Sequence, residues 1–133
     1  MTLVDTNILI DILTLDPVWG ARSLDLFARC ADKGPMLIVD AIYAECAASY
    51  ASADQTTAAL EGLRVQRSRM SDEALWRASR AFVEYRRRGG TKSNVLPDFF
   101  IGAQAETLGV PLLTRDGGRY ATYFPDVELV KVE

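Results

Sequence analysis

Short apolar runs alternate along the chain with segments of helical periodicity, and this alternation restricts the possible folds more than any other feature. Four runs read as strands: TLVD from Thr2, MLIVD from Met36, VPLLT from Val110 and VELVKV from Val127. The runs MLIV and VPLL are apolar at consecutive positions, as is typical of strands covered on both faces. The pattern predicts an α/β fold with a central, mostly parallel sheet of four to five strands and helices on both faces.

Capping residues predict where the helices between these runs begin and end. Asp16 followed by Pro17 is typical of a helix start, and Gly34 of the end of that helix. Ser71 predicts the start of a long helix that ends before Gly89. The 133 residues suffice for one core, so we expect a single domain over residues 1–133. No apolar run approaches the roughly 20 residues that span a bilayer, so we expect no membrane association and a cytoplasmic location.

The sequence contains no histidine, which narrows the possible chemistry. Catalysis by Ser-His-Asp or Cys-His groups and zinc sites with histidine ligands are excluded. An enzyme with this composition must use carboxylates, hydroxyls, lysine or arginine. Carboxylates favour hard cations such as Mg²⁺ or Mn²⁺.

Four acidic residues fall where a parallel α/β sheet places its ligands, beyond the carboxyl ends of the strands. Asp5 ends the first predicted strand, and Asp116 follows the strand at residues 110–114. Glu45 lies in the second turn of the helix after MLIVD, and Asp98 lies in the first turn of a helix that Pro97 begins. We therefore expect the four carboxylates to share one edge of the sheet.

Each acid also has a structural explanation when it is considered alone. Asp5 can cap the helix that follows it, and Glu45 can be a solvated helix residue. Asp98 can complement a helix dipole, and Asp116 can be a turn residue in the predicted turn RDGG. Four carboxylates in one pocket, however, would repel one another unless a cation were present. A divalent cation is the simplest compensation for the set.

A metal held by such a cluster suits the hydrolysis of a phosphodiester. The ion can orient the phosphate, neutralise developing charge and lower the pKa of a bound water. The predicted catalytic and metal-binding residues are Asp5, Glu45, Asp98 and Asp116. They are compatible with one metal ion or with two.

The chain resembles the PIN-domain nucleases, and most closely the VapC-type toxins of type II toxin–antitoxin pairs. The resemblance rests on Asp5-Thr6-Asn7, on a helical Glu45, on LPDFFIGAQAETLG around Asp98 and on LLTRDGGRYATYFP around Asp116. It runs from residue 3 to about residue 125. It implies a PIN-like domain that is an endoribonuclease dependent on Mg²⁺ or Mn²⁺. Such an enzyme leaves a 5′-phosphate and a 3′-hydroxyl and often forms a homodimer.

The resemblance also implies roles for further residues and a partner. The acidic positions of the family match the four acids above, and its hydroxyls near the metal match Thr6 and Thr114. Asn7 matches a residue that positions the loop after Asp5. The implied partner is a small VapB-type antitoxin, whose tail often places an arginine in the acidic pocket, where its fixed charge replaces a metal. The implied substrate is RNA.

Basic residues are concentrated between Arg64 and Lys92, although the net charge of the chain is −3. The end of the predicted long helix carries Arg86, Arg87 and Arg88. Together with Lys92, these residues can form a solvated helix face, bind RNA or contact the antitoxin. The sequence leaves these alternatives open.

Two other functions fit parts of the pattern. A Mg²⁺-dependent phosphatase related to the haloacid dehalogenases also begins with a strand and an aspartate. That family needs a second acid two positions later, where this chain has Asn7. A non-catalytic PIN-like module is the other alternative, and it would bind RNA or a protein without cutting RNA.

Overall fold

The computed structural model of the protein describes residues 1–133 and contains one five-stranded sheet. The strands are β1 Thr2–Val4, β2 Met36–Ile38, β3 Gln66–Arg67, β4 Leu112–Thr114 and β5 Leu129–Lys131. They lie in the order β3-β2-β1-β4-β5, and every neighbouring pair is parallel. The predicted α/β fold with a parallel sheet is confirmed.

Seven helices connect the strands. They are α1 Thr6–Leu13, α2 Gly20–Ala31, α3 Asp40–Ala47, α4 Ala53–Gly62, α5 Asp72–Arg87, α6 Leu96–Leu108 and α7 Gly118–Tyr123. The chain steps outward from β1 to β3, then crosses back to β4 and continues to β5. Because connections between parallel strands are right-handed, this reversal places the helices before and after β3 on opposite faces. None of the helices has both the length and the apolarity needed to cross a membrane.

The three central strands are buried at every position, which explains their unbroken apolar sequence. Local signals set the ends of several helices, and the start predicted at Ser71 is confirmed. The Ser71 hydroxyl accepts a hydrogen bond from the backbone N–H of Ala74 at the start of α5. Gly109 ends α6 in the left-handed conformation, with φ of 67°, where a side chain is strained.

Three local features differ from the sequence prediction. The helix predicted from Pro17 begins at Gly20, because the Asp16 carboxylate accepts the N–H groups of Val18 and Trp19 and holds residues 17–19 as a turn. The short strand β3 was not predicted, since it has two residues and both are exposed. Helix α7 follows RDGG, where only a turn was predicted.

The topology creates a crevice between β1 and β4. The connection from β1 leads toward β2, whereas the connection from β4 leads the other way to β5. This is the switch point at which α/β proteins bind ligands. The backbone N–H of Asp5 donates to the carbonyl of Leu113 at 2.9 Å, so the residue after β1 remains joined to β4.

Candidate functional site

A cavity of about 420 Å³ opens at the carboxyl ends of β1 and β4. All four predicted acids line it, each from a different part of the fold. Asp5 follows β1, Glu45 lies on α3, Asp98 lies in the first turn of α6, and Asp116 follows β4. The other lining residues are Thr6, Asn7, Ile10, Arg119 and Tyr120.

Asp5 is buried, and its carboxylate accepts hydrogen bonds at both oxygens. Oδ1 accepts the backbone N–H of Thr6 at 2.7 Å, so Asp5 also caps α1. Oδ2 accepts the hydroxyl of Thr114 at 2.8 Å and that of Tyr120 at 3.0 Å. Burial nevertheless raises the pKa of Asp5 to about 6, with a further contribution from the nearby charge of Asp98. Burial in the cavity therefore favours the protonated form of the Asp5 carboxyl group more than water does.

The predicted supporting residues connect the acids to one another. The Thr6 hydroxyl donates to Glu45 at 2.7 Å, which joins the start of α1 to α3. The Thr114 hydroxyl donates to Asp5 and accepts the backbone N–H of Asp116 at 3.1 Å. Both threonines therefore orient carboxylates.

Asn7 joins the loops that follow β1 and β4. Its side-chain oxygen accepts the backbone N–H of Arg115 at 3.3 Å, and its amide lies 3.5 Å from the Asp5 carboxylate. The side chain thus tethers the loop that carries Asp116 to the loop that carries Asp5.

Asp98 forms an ion pair inside the cavity. Its Oδ2 accepts Nη1 of Arg119, and its Oδ1 lies 3.5 Å from the Tyr120 hydroxyl. Desolvation by burial raises the pKa of Asp98 despite the opposing effect of the guanidinium. Tyr120 lies between Asp5 and Asp98, and burial together with these carboxylates raises the pKa of its phenol well above the ordinary value. The Tyr120 phenol therefore stays protonated and donates its hydrogen bond to Asp5.

Arg119 and Tyr120 were not predicted as site residues from the sequence. Both belong to α7, whose six residues follow the turn that carries Asp116. The sequence signal is weak, because an arginine and a tyrosine after a glycine pair are equally typical of an exposed loop. Recognising a helix after RDGG would have directed attention to them.

A second ion pair that the sequence did not reveal lies beside the cavity. Nε and Nη2 of Arg115 donate to the Asp11 carboxylate at 2.9 and 3.1 Å, and the Ser23 hydroxyl donates to it at 3.0 Å. The Asp11 carboxylate is buried where α1 packs against α2. The Asp11–Arg115 pair fastens the loop before Asp116 to the helices that follow β1.

The basic residues at the end of α5 are exposed and partly engaged. Arg88 pairs with Glu84, and the Arg86 guanidinium stacks 5.0 Å from the Phe82 ring centre. The backbone N–H of Lys92 donates to the Tyr85 hydroxyl. The Tyr85 ring centre lies 5.8 Å from the Arg119 guanidinium, so α5 packs beside a residue that lines the acidic cavity.

The donor set of the cavity suits a hard divalent cation, since four carboxylates line one space. No three acidic side chains converge as the ligands of one ion. The reasons are local, because hydrogen-bond donors engage both oxygens of Asp5 and Arg119 engages Asp98. The side chains that would hold a metal are Asp5, Asp98 and Asp116, with Glu45 on the facing wall, once these donors rearrange.

An entirely parallel α/β sheet with an acidic cavity at its switch point defines the structural class of this protein. A model of the PIN domain matches residues 2–125, and the chain belongs to the PIN domain family. The resemblance deduced from the sequence motifs is therefore confirmed at the level of the family. A search of curated proteins gives no match.

Several solved structures share the fold. VapBC2 from Rickettsia felis, bound to a promoter DNA fragment, superposes with a TM-score of 0.74 at 16% identity, over 99% of this chain and 98% of that chain. VapBC-1 from nontypeable Haemophilus influenzae gives 0.73 at 19%, over 98% and 96%. A toxin–antitoxin complex from Klebsiella pneumoniae gives 0.70 at 22%, over 100% and 98%. At these identities the likeness establishes the fold.

Proposed function

We propose that residues 1–133 form a nuclease domain that hydrolyses RNA phosphodiester bonds with the help of Mg²⁺ or Mn²⁺, as a VapC-type toxin. The observation that carries this proposal is the meeting of Asp5, Glu45, Asp98 and Asp116 at the switch-point cavity. Four parts of the fold contribute one carboxylate each. A purely structural role for the acids would not require them to share one cavity.

The side chains around the acids suit this chemistry. Thr6 and Thr114 orient Glu45 and Asp5, and the Tyr120 phenol lies within reach of both Asp5 and Asp98. A bound metal would orient the phosphate and activate a water. Water attacks phosphorus, the bond to the 3′-oxygen breaks, and the products are a 3′-hydroxyl and a 5′-phosphate. Glu45 and Asp116 are exposed, so the cavity is open to solvent on their side, which leaves access for an RNA strand.

The proposed partner is a VapB-type antitoxin. The similar structures named above are toxin–antitoxin complexes, which supports a partner of this kind. The acidic cavity offers a site for an arginine of the partner, because a guanidinium matches a carboxylate in charge and geometry. A homodimer and a cytoplasmic location belong to the same proposal.

Mapping of RNA ends tests the proposed activity. Purified protein is incubated with total RNA in Mg²⁺ or in excess chelator, and new 5′ ends are sequenced. We expect cleavage at defined positions that requires metal and is lost in Asp5→Asn. The matched control is Asp32→Asn, because Asp32 is an exposed aspartate without a side-chain hydrogen bond. Undiminished cleavage by Asp5→Asn, or in excess chelator, would overturn the proposal.

The same experiment separates the alternatives. Retention of RNA without new ends would identify a non-catalytic binding module. A phosphatase of the haloacid-dehalogenase type is disfavoured by the structure, because the required second acid is replaced by Asn7, which joins two backbone loops. Release of inorganic phosphate from a phosphomonoester would nevertheless reveal that activity.

We propose that the basic residues at the end of α5 attract RNA, because the acids themselves repel phosphate. Charge reversal at Arg86, Arg87 and Arg88 should slow cleavage at low salt and flatten its salt dependence. Arg29, which pairs with Asp25 on α2, provides a control for the loss of surface charge. An unchanged salt slope together with weaker antitoxin binding would assign the three arginines to the antitoxin interface instead.

A further inference from the structure

Arg119 is the one cationic side chain that lines the acidic cavity. It reaches Asp98 from α7 and forms the ion pair described above. Its side chain is 25% exposed, and its guanidinium lies 5.8 Å from the centre of the Tyr85 ring. The charge of Arg119 is therefore directed at one carboxylate, inside a space that four carboxylates share.

Arg119 thus offsets part of the electrostatic repulsion among the four acids. A guanidinium is permanently charged and needs no metal to balance a carboxylate. Without Arg119, Asp98 would keep only the long contact to Tyr120 at 3.5 Å. The positive charge beside Asp98 is therefore that of Arg119, a residue of the same chain.

A metal ion and Arg119 compete for the same oxygen. Oδ2 of Asp98 accepts the guanidinium, and a cation bound there would face a like charge at contact distance. A cation that binds Oδ2 would have to displace Arg119, and a cation that binds Oδ1 would still lie close to its positive charge. The ion pair opposes metal binding by the free energy needed to separate it.

We propose that Arg119 is a positioning residue that holds Asp98 in place of a divalent cation and is displaced from Asp98 when the cation binds. The inference rests on the proposed function, since it takes the cavity to be a metal site. In the metal-free protein, Arg119 offsets the charge of Asp98 and so relieves part of the repulsion among the acids. The same contact sets the concentration of metal at which the site fills.

Calorimetric titration with Mn²⁺ in the absence of RNA tests this competition. Arg119→Gln should bind Mn²⁺ about 3- to 10-fold more tightly than the unmodified protein, because no ion pair has to be broken. Arg119→Lys keeps the charge but lacks the forked guanidinium, so its affinity should lie between the two. Arg67→Gln is the matched control, because it removes an arginine that pairs with an aspartate outside the cavity.

A second readout uses thermal unfolding of the same proteins. In excess chelator, Arg119→Gln should unfold at a lower temperature than the unmodified protein, and saturating Mn²⁺ should remove that deficit. Equal or weaker Mn²⁺ affinity in Arg119→Gln overturns the inference, as does an equal gain in Arg67→Gln. Absence of Mn²⁺ binding in every protein overturns both this inference and the proposed function. Tighter binding by Arg119→Gln without RNA cleavage by any protein supports the inference and contradicts the proposed nuclease.

Discussion

Two arginines in the segment that follows β4 each form an ion pair with an aspartate, and the two pairs have different surroundings. Arg115 pairs with Asp11, and Arg119, four residues later, pairs with Asp98. The Asp11 side chain is 3% exposed, whereas that of Asp98 is 33% exposed and lines the cavity. We call the Asp11–Arg115 pair the closed pair, because its carboxylate is shielded from solvent, and the Asp98–Arg119 pair the open pair.

The difference lies in how completely each carboxylate is satisfied. Asp11 accepts two hydrogen bonds from Arg115 and one from Ser23, and the Arg115 guanidinium stacks on the Trp19 ring at 5.0 Å. Asp98 has Arg119 and one long contact. A closed pair with every oxygen engaged fixes helices and loops in place, whereas an open pair can exchange its cation.

Removing the acid of the closed pair should have the largest effect on stability. Asp11→Ala leaves Arg115 without its counter-ion and Ser23 without its acceptor, so the free energy of unfolding should fall by about 3 kcal/mol. Urea unfolding in excess chelator measures this loss. A fall of less than about 1 kcal/mol would show that the Asp11–Arg115 pair does not fasten the loop.

The pH dependence of stability should show the next largest effect, and it belongs to Asp5. The pKa of Asp5 is raised from 3.8 to about 6. Between these two pH values the Asp5 carboxyl group keeps its proton in the folded protein, whereas it has lost that proton in the unfolded chain. The stabilisation is complete below about pH 4 and is lost as the pH rises through about 6.

Relative to Asp5→Asn, the unmodified metal-free protein should lose about 2 kcal/mol of unfolding free energy between pH 4 and pH 7.5. Urea unfolding at the two pH values gives this difference. Parallel pH profiles for the two proteins would mean that Asp5 titrates in the folded protein as it does in the unfolded chain.

The open pair should contribute least to stability. Asp98→Asn removes a carboxylate that burial disfavours, and it also deprives Arg119 of its partner, so the two effects oppose each other. We expect the metal-free variant to be neutral or slightly stabilised, within about 1 kcal/mol of the unmodified protein. A loss as large as that expected for Asp11→Ala would assign Asp98 a structural role.

The sequence predicts the strands and helices that surround the site better than the contacts between side chains inside it. Unbroken apolar runs and caps such as Ser71 determine the central strands and some helix ends, because burial and local hydrogen bonds act over a few residues. The four acids could be found because the ends of parallel strands meet at one edge. These rules depend on position along the chain alone.

The contacts inside the cavity could not be predicted in this way. Arg119 reaches Asp98 across 21 residues, and Arg115 reaches Asp11 across 104. Such pairs depend on the orientation of α7 and of the loop before it, which no local pattern determines. The sequence therefore predicts carboxylates whose only compensation is a metal, whereas Asp5 and Asp98 are already engaged by side chains in the structure.

The most direct test of the open site compares RNA cleavage by Asp98→Asn and Asp11→Asn in Mg²⁺, at a temperature where circular dichroism shows both variants folded. The measured quantity is the initial rate at which new 5′-phosphate ends appear. We predict that Asp98→Asn loses about 100-fold or more of this rate, as removal of a group that acts on the transition state does. Asp11→Asn should stay within about tenfold of the unmodified protein, since Asp11 acts only through the position of the loop. Cleavage by Asp98→Asn at the rate of the unmodified protein would contradict the assignment of the cavity as the catalytic site.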